Sequence, residues 1–101
     1  MAGSTRLQDQ VHLKVDIREP SKYKVILLND DYTPMDFVVN LIVSIFHKTA
    51  EEATHLMFEI HNKGFAVCGI YTFEIAETKV EQVSELARQS QYPLQCRMEK
   101  A

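Results

Sequence analysis

Tyr23-Lys24-Val25-Ile26-Leu27-Leu28-Asn29-Asp30-Asp31-Tyr32-Thr33-Pro34-Met35 is the stretch whose reading decides the fold. Tyr23 to Leu28 is a short apolar run, the pattern of a buried strand. It stops abruptly at Asn29-Asp30-Asp31, and Thr33-Pro34 then opens a helix. Thr33 can cap that helix, Pro34 suits its first position, and Asp36 can reach back as a capping-box acid. The helix is predicted to run to about His47. Phe37, Val38, Val39, Leu41, Ile42, Val43, Ile45 and Phe46 make it apolar nearly all round, so it should be buried on more than one face.

Downstream, Thr49 and Glu52 form a second capping box. Ala53, Leu56, Met57 and Ile60 recur at helical spacing, with His61 one turn after Met57, and Gly64 suits a left-handed stop. Phe65 to Ile75 is rich in aromatic and branched residues and reads as a strand. A third helix is predicted from about Ala76 to Gln91, with Val80, Val83, Leu86 and Ala87 on one face and Pro93 ending it. Leu94, Cys96 and Met98 alternate with Gln95, Arg97 and Glu99, a last strand with one buried face. The order is β-α-α-β-α-β. It defines an α+β open two-layer sandwich, three helices on a small three-stranded sheet.

Upstream, residues 1–22 are polar and charged and read as a flexible N-terminal extension to a domain spanning 23–101. Within the extension, Val11, Leu13, Val15 and Ile17 alternate with His12, Lys14 and Asp16. The favoured reading is an extended arm with accidental alternation; the alternative is a strand added to a partner's sheet edge.

The 101 residues suffice for one domain. A formal net charge of -3 argues against nucleic acid as a main partner, because phosphate binding needs a basic surface. No stretch is long and apolar enough to span a membrane, and Met1 to Gln10 lack a signal peptide's apolar core. The expected location is the cytoplasm, with Cys68 and Cys96 as reduced thiols.

Asn29-Asp30-Asp31 is the most informative polar cluster. On its own it reads best as a turn, with acids favouring the dipole of the helix that follows. His61 on its own reads as a structural residue near a helix end. The two gain meaning if they meet. Met57, Ile60 and His61 lie on one helix face, and Met35 and Val38 on the first turn of another. Brought near Asn29 and Asp31, they would form an apolar hollow ringed on one side by an amide, a carboxylate and an imidazole. A ligand with a cationic head and a large apolar tail suits such a hollow, and a peptide N-terminus starting with Leu, Phe, Tyr or Trp has both. Plain core packing explains Met35 and Met57 equally well.

Other chemistry has less support. Asn29, Asp30, Asp31 and His61 match no calcium loop, and no His or Cys pair stands at ligand spacing, so neither metal nor cofactor is expected. No acid is placed to orient a Cys-His nucleophile pair, and three glycines make no phosphate loop. The charges of Glu74 to Lys79 mark either a solvated helix start or a partner-docking patch.

Taken together, Tyr23 to Met35, Met57 with His61 and Gly64, Ala76-Glu77-Thr78-Lys79, and Pro93-Leu94-Gln95-Cys96 resemble the ClpS family. Its members are bacterial adaptors that deliver N-end-rule substrates to the ClpA unfoldase of the ClpAP protease, and the resemblance spans about Tyr23 to Ala101. It implies a monomeric adaptor, not an enzyme. Asn29, Asp31 and His61 would hold the substrate's α-ammonium, with Asp30 supporting them. Leu27, Leu28, Thr33, Met35, Val38, Met57, Ile60 and Leu94 would line the pocket for the first side chain, Met35 turning away β-branched residues. Glu74 and Lys79 would contact the N-terminal domain of a ClpA-type AAA+ unfoldase, and the extension would be engaged during hand-off. Ile60 stands where many relatives have Val. Two alternatives make different predictions. A plain interaction module of the same topology, similar to a ribosomal stalk protein's C-terminal domain, would show no preference for a free amine. A Cys- or metal-dependent hydrolase would show turnover.

Overall fold

The computed structural model describes residues 20–101, so the alternating Val11–Ile17 segment lies outside the described residues. The elements are β1 (Lys22–Leu28), α1 (Met35–Phe46), α2 (Ala50–Lys63), β2 (Phe65–Thr72), α3 (Phe73–Gln89) and β3 (Gln95–Lys100). This is the predicted β-α-α-β-α-β order. The strands form one antiparallel sheet with β1 in the middle, in the order β2-β1-β3.

The central place of β1 explains its unbroken apolar run. Val25 and Leu27 face the helices, while Ile26 is buried on the other face, outside the main cluster. The edge strands are covered on one side only, and β3 alternates as its sequence predicts, with Cys96 and Met98 packed inward. The core lies between one sheet face and the helices. Val25, Leu27, Ala66 and Cys68 meet Leu41, Ile42, Phe46, Met57, Ile60 and Val83. On α1, Phe37, Val39, Val43 and Ile45 pack half-buried around the fully covered Val38, Leu41, Ile42 and Phe46, which accounts for its wide apolar arc.

Two boundaries differ from the sequence reading. Thr33 does not cap α1: Pro34 occupies the cap position in extended geometry with no side-chain cap bond. The Thr33 hydroxyl is already committed, donating to the Asp30 carboxylate. Likewise β2 ends at Thr72 and α3 opens at Phe73 rather than near Ala76. Phe73 and Ile75 have strand propensity, but tertiary packing overrides it. The Phe73 ring sits edge-on to Tyr23 at 5.3 Å between centroids, and a helical turn here buries Ala76 completely. At its far end, α3 closes through Gln91 in the left-handed region (φ 62), with the Tyr92 N–H donating to the Ala87 carbonyl.

Candidate functional site

The site begins with a braced turn. After β1, the Asp30 carboxylate accepts from the Tyr32 N–H (2.8 Å), the Thr33 N–H (2.7 Å) and the Thr33 hydroxyl (2.8 Å). Partial burial raises the Asp30 pKa. The hydrogen bonds from the Thr33 side chain and from the two N–H groups outweigh it and hold the carboxyl below its usual value. Asp30 therefore shapes the turn with both oxygens engaged.

The second part is the end of α2. Its start is fixed by the reciprocal Thr49–Glu52 capping box, and its end by Gly64 at φ 96, whose N–H donates to the Ile60 carbonyl. A side chain at that φ would be strained, so glycine is needed here. The Gly64 carbonyl then accepts from the Asn29 N–H at 2.8 Å. This single backbone bond ties the turn after β1 to the last turn of α2, and so sets Asn29 beside His61.

Between them is a hollow of about 200 Å³ lined by Asn29, Asp30, Asp31, Thr33, Met35, Val38, Met57, Ile60 and His61. Val38, Met57 and Ile60 are buried and form its apolar wall. Asn29, Asp31 and His61 are exposed, and Met35 is 45% exposed at the rim. The Asn29 amide oxygen, the Asp31 carboxylate and the His61 imidazole offer acceptors to this hollow, and among the described residues no lysine or arginine lines it. That arrangement can receive a donor-rich cation whose apolar portion goes inward.

Three residues that the resemblance put in the pocket do not line this hollow. Leu27 is fully buried in the core, because strand alternation points it between the flanking strands and the helices. Leu28 alternates to the other face of the sheet, and Leu94 is buried in the core just ahead of β3. Sequence reasoning also missed the brace at Asp30. Its signal was present, since an Asp two and three residues ahead of free N–H groups is the pattern of an Asx turn.

Glu74 and Lys79 lie elsewhere. Glu74 is exposed in the first turn of α3. The Lys79 ammonium donates to the Ile45 carbonyl at 2.6 Å and sits 5.7 Å from the centre of the Tyr71 ring. A cation at the C-terminal end of α1 is favoured by the helix dipole, so Lys79 joins α3 to α1. Lys79→Ala is therefore expected to lower stability by about 1–2 kcal/mol, read as a fall in Tm, while Glu74→Ala, which removes an exposed acid from the first turn of α3, costs at most about 0.5 kcal/mol. An unaltered Tm in Lys79→Ala would refute that structural role. An open groove of about 830 Å³ runs past Lys79 between Ser44–His47 and α3. It exceeds the hollow in volume, but its lining mixes apolar Ile45, Val80 and Leu86 with the cations Lys79 and Arg88, so it is less suited to an ammonium.

The thiols take no part. Burial pushes both Cys68 and Cys96 up to about 12, which leaves them protonated and unreactive near neutral pH. Among the described residues, no three His, Cys, Asp or Glu side chains come together to hold a metal ion, and no helix is long and apolar enough to cross a membrane.

A small α+β sandwich that sets an acceptor-lined hollow of about 200 Å³ beside its first strand has the form of a small binding domain. The family model for "ATP-dependent Clp protease adaptor protein ClpS" matches residues 18–97. The chain is 54% identical over 90 residues to the ATP-dependent Clp protease adapter protein ClpS of Rhodospirillum centenum, covering 89% of this chain and 83% of that one. To its Gluconobacter oxydans counterpart it is 57% identical over 83 residues, covering 82% and 70%. Among solved structures, Agrobacterium tumefaciens ClpS2 bound to L-phenylalaninamide superposes with a TM-score of 0.80 at 35% identity, covering 82% of this chain and all of that one. The chain belongs to the ClpS family of Clp protease adaptors. It is an adaptor and not an enzyme.

Proposed function

We propose that this adaptor binds the free α-amine of polypeptides beginning with Leu, Phe, Tyr or Trp and delivers them, as a cytoplasmic monomer, to a ClpA-type unfoldase for degradation. The observation that supports this best is that Asn29, Asp31 and His61 line the same hollow of about 200 Å³ as the buried Val38, Met57 and Ile60. The first two groups accept from an ammonium directly, and His61 accepts while it is neutral. Val38, Met57 and Ile60 take the first side chain. The relative bound to L-phenylalaninamide adds weight, since that ligand is a phenylalanine with a free amine and an amide where a peptide chain would continue. The deciding experiment is an anisotropy titration with a fluorescent peptide beginning with Phe, beside its N-acetylated form and a Val-first peptide. Binding of the free Phe peptide alone supports both the amine grip and the side-chain selection. Equal binding of all three, or of none, refutes the proposal.

Met35 is the selective element in this reading. It lines the hollow yet stays 45% exposed, so a thioether stands at the entrance where a branch at Cβ of an incoming residue would collide with it. Met35→Ala is expected to admit Val- and Ile-first peptides, raising their affinity about tenfold, with little change for Phe. Continued refusal of Val and Ile by the variant would reduce Met35 to a packing residue.

Glu74 is assigned to the unfoldase contact. Because Lys79 also holds α1, Glu74→Ala is the cleaner probe: it should weaken docking of the ClpA N-terminal domain while leaving peptide affinity unchanged.

A further inference from the structure

We infer that Tyr32 forms a subsite for the second residue of the bound polypeptide and favours apolar or aromatic side chains there. This deepens the amine-binding reading and rests on it. The hollow's volume, about 200 Å³, is enough for one large side chain and no more. With the amine held by Asn29, Asp31 and His61 and the first side chain inside, residue two must lie outside, against the rim.

The rim beside the acceptors is the turn 30–33. Asp31 and Thr33 both line the hollow, and Tyr32 stands between them. Its ring is 79% exposed, more than any other large apolar side chain of the described residues. Among the described residues, no aromatic neighbour or hydrogen bond of its side chain accounts for its presence. Yet its backbone is fixed, because the Tyr32 and Thr33 N–H groups both donate to Asp30. A rigid backbone presenting an uncovered aromatic ring is the arrangement that gives contact area at small entropic cost, since a tyrosine has only two rotatable side-chain bonds to fix. Met35, which lines the hollow and is 45% exposed, adds an apolar group to the same rim three residues further on.

The test uses free-amine peptides differing only in residue two, Phe-Trp, Phe-Leu and Phe-Ser, titrated against the full chain and against Tyr32→Ala and Tyr32→Phe. The native chain should bind Phe-Trp and Phe-Leu about three- to tenfold more tightly than Phe-Ser. Tyr32→Ala should erase that ratio while keeping the Phe-Ser affinity, and Tyr32→Phe should retain it. A ratio near one in the native chain, or an unchanged ratio in Tyr32→Ala, overturns the subsite and leaves the amine site standing. Phe-Ser binding no better than its N-acetylated form overturns the amine site, and the subsite with it.

Discussion

N-acetylation of a Phe-first peptide is expected to weaken its binding by at least roughly 100-fold. Acetylation removes the positive charge and two of the three donors that the ammonium offers. A unit-charge pair at 4 Å is worth about 4 kcal/mol at an effective dielectric near 20, and less toward bulk water. The groups in question are exposed before binding, so the full figure does not apply. The hundredfold loss corresponds to about 2.7 kcal/mol and already allows for that discount. Steric exclusion acts in the same direction, because an acetyl group is bulkier than the ammonium hydrogen it replaces and has to share the hollow lined by Asn29, Asp31 and His61. Methyl-esterifying the far end of the same peptide controls for charge at a distance and should change little. Comparable affinity of free and acetylated peptides would leave the hollow as an ordinary surface dimple and favour a plain interaction module of the same topology.

Local signals made most of the fold legible. The apolar run of β1 was readable because a central strand buried on both faces leaves no alternation to misread. The Thr49–Glu52 box and Gly64 marked both ends of α2, since each is a complete hydrogen-bonding unit within a few residues. The start of α3 was not readable. Phe73 and Ile75 look like strand residues, and what accompanies the helical turn, the Phe73 contact with Tyr23 fifty residues away and the burial of Ala76, is tertiary. The candidate site was legible in its members more than in its geometry. Nothing local announces that the Asn29 N–H will meet the Gly64 carbonyl, though this bond brings the acceptors together. Resemblance supplied the remaining positions, among them Leu27, Leu28 and Leu94, which lie outside the lining of the 200 Å³ hollow. There, strand direction and burial decide what a side chain can touch.

The adjacent acids Asp30 and Asp31 should separate cleanly on substitution, although the sequence presents them as a pair. Asp30→Ala removes the acceptor of three donors within one turn. Hydrogen bonds to a charged group are worth about 1.5–3 kcal/mol each, and partial solvent access reduces the sum, so a total loss of about 2 kcal/mol is expected. At about 4–8 °C per kcal/mol for a domain of this size, Tm should fall by roughly 8–16 °C. Peptide affinity should fall as well, because Thr33 and Asp31 lose their fixed positions. Asp31→Ala behaves differently. Its carboxylate is exposed and makes none of the turn's hydrogen bonds, so Tm should hold while affinity for a free Phe peptide drops at least roughly tenfold. The acetylated peptide should not distinguish Asp31→Ala from the native chain. Acid probes the Asp30 brace without mutation. The Asp30 carboxyl is held below its ordinary value when folded, so its contribution is complete at neutral pH and is lost only as pH falls through that depressed value. A Tm that fell equally in both aspartate variants would mean that Asp31 is a second brace. The ammonium would then have only Asn29 and His61 to hold it.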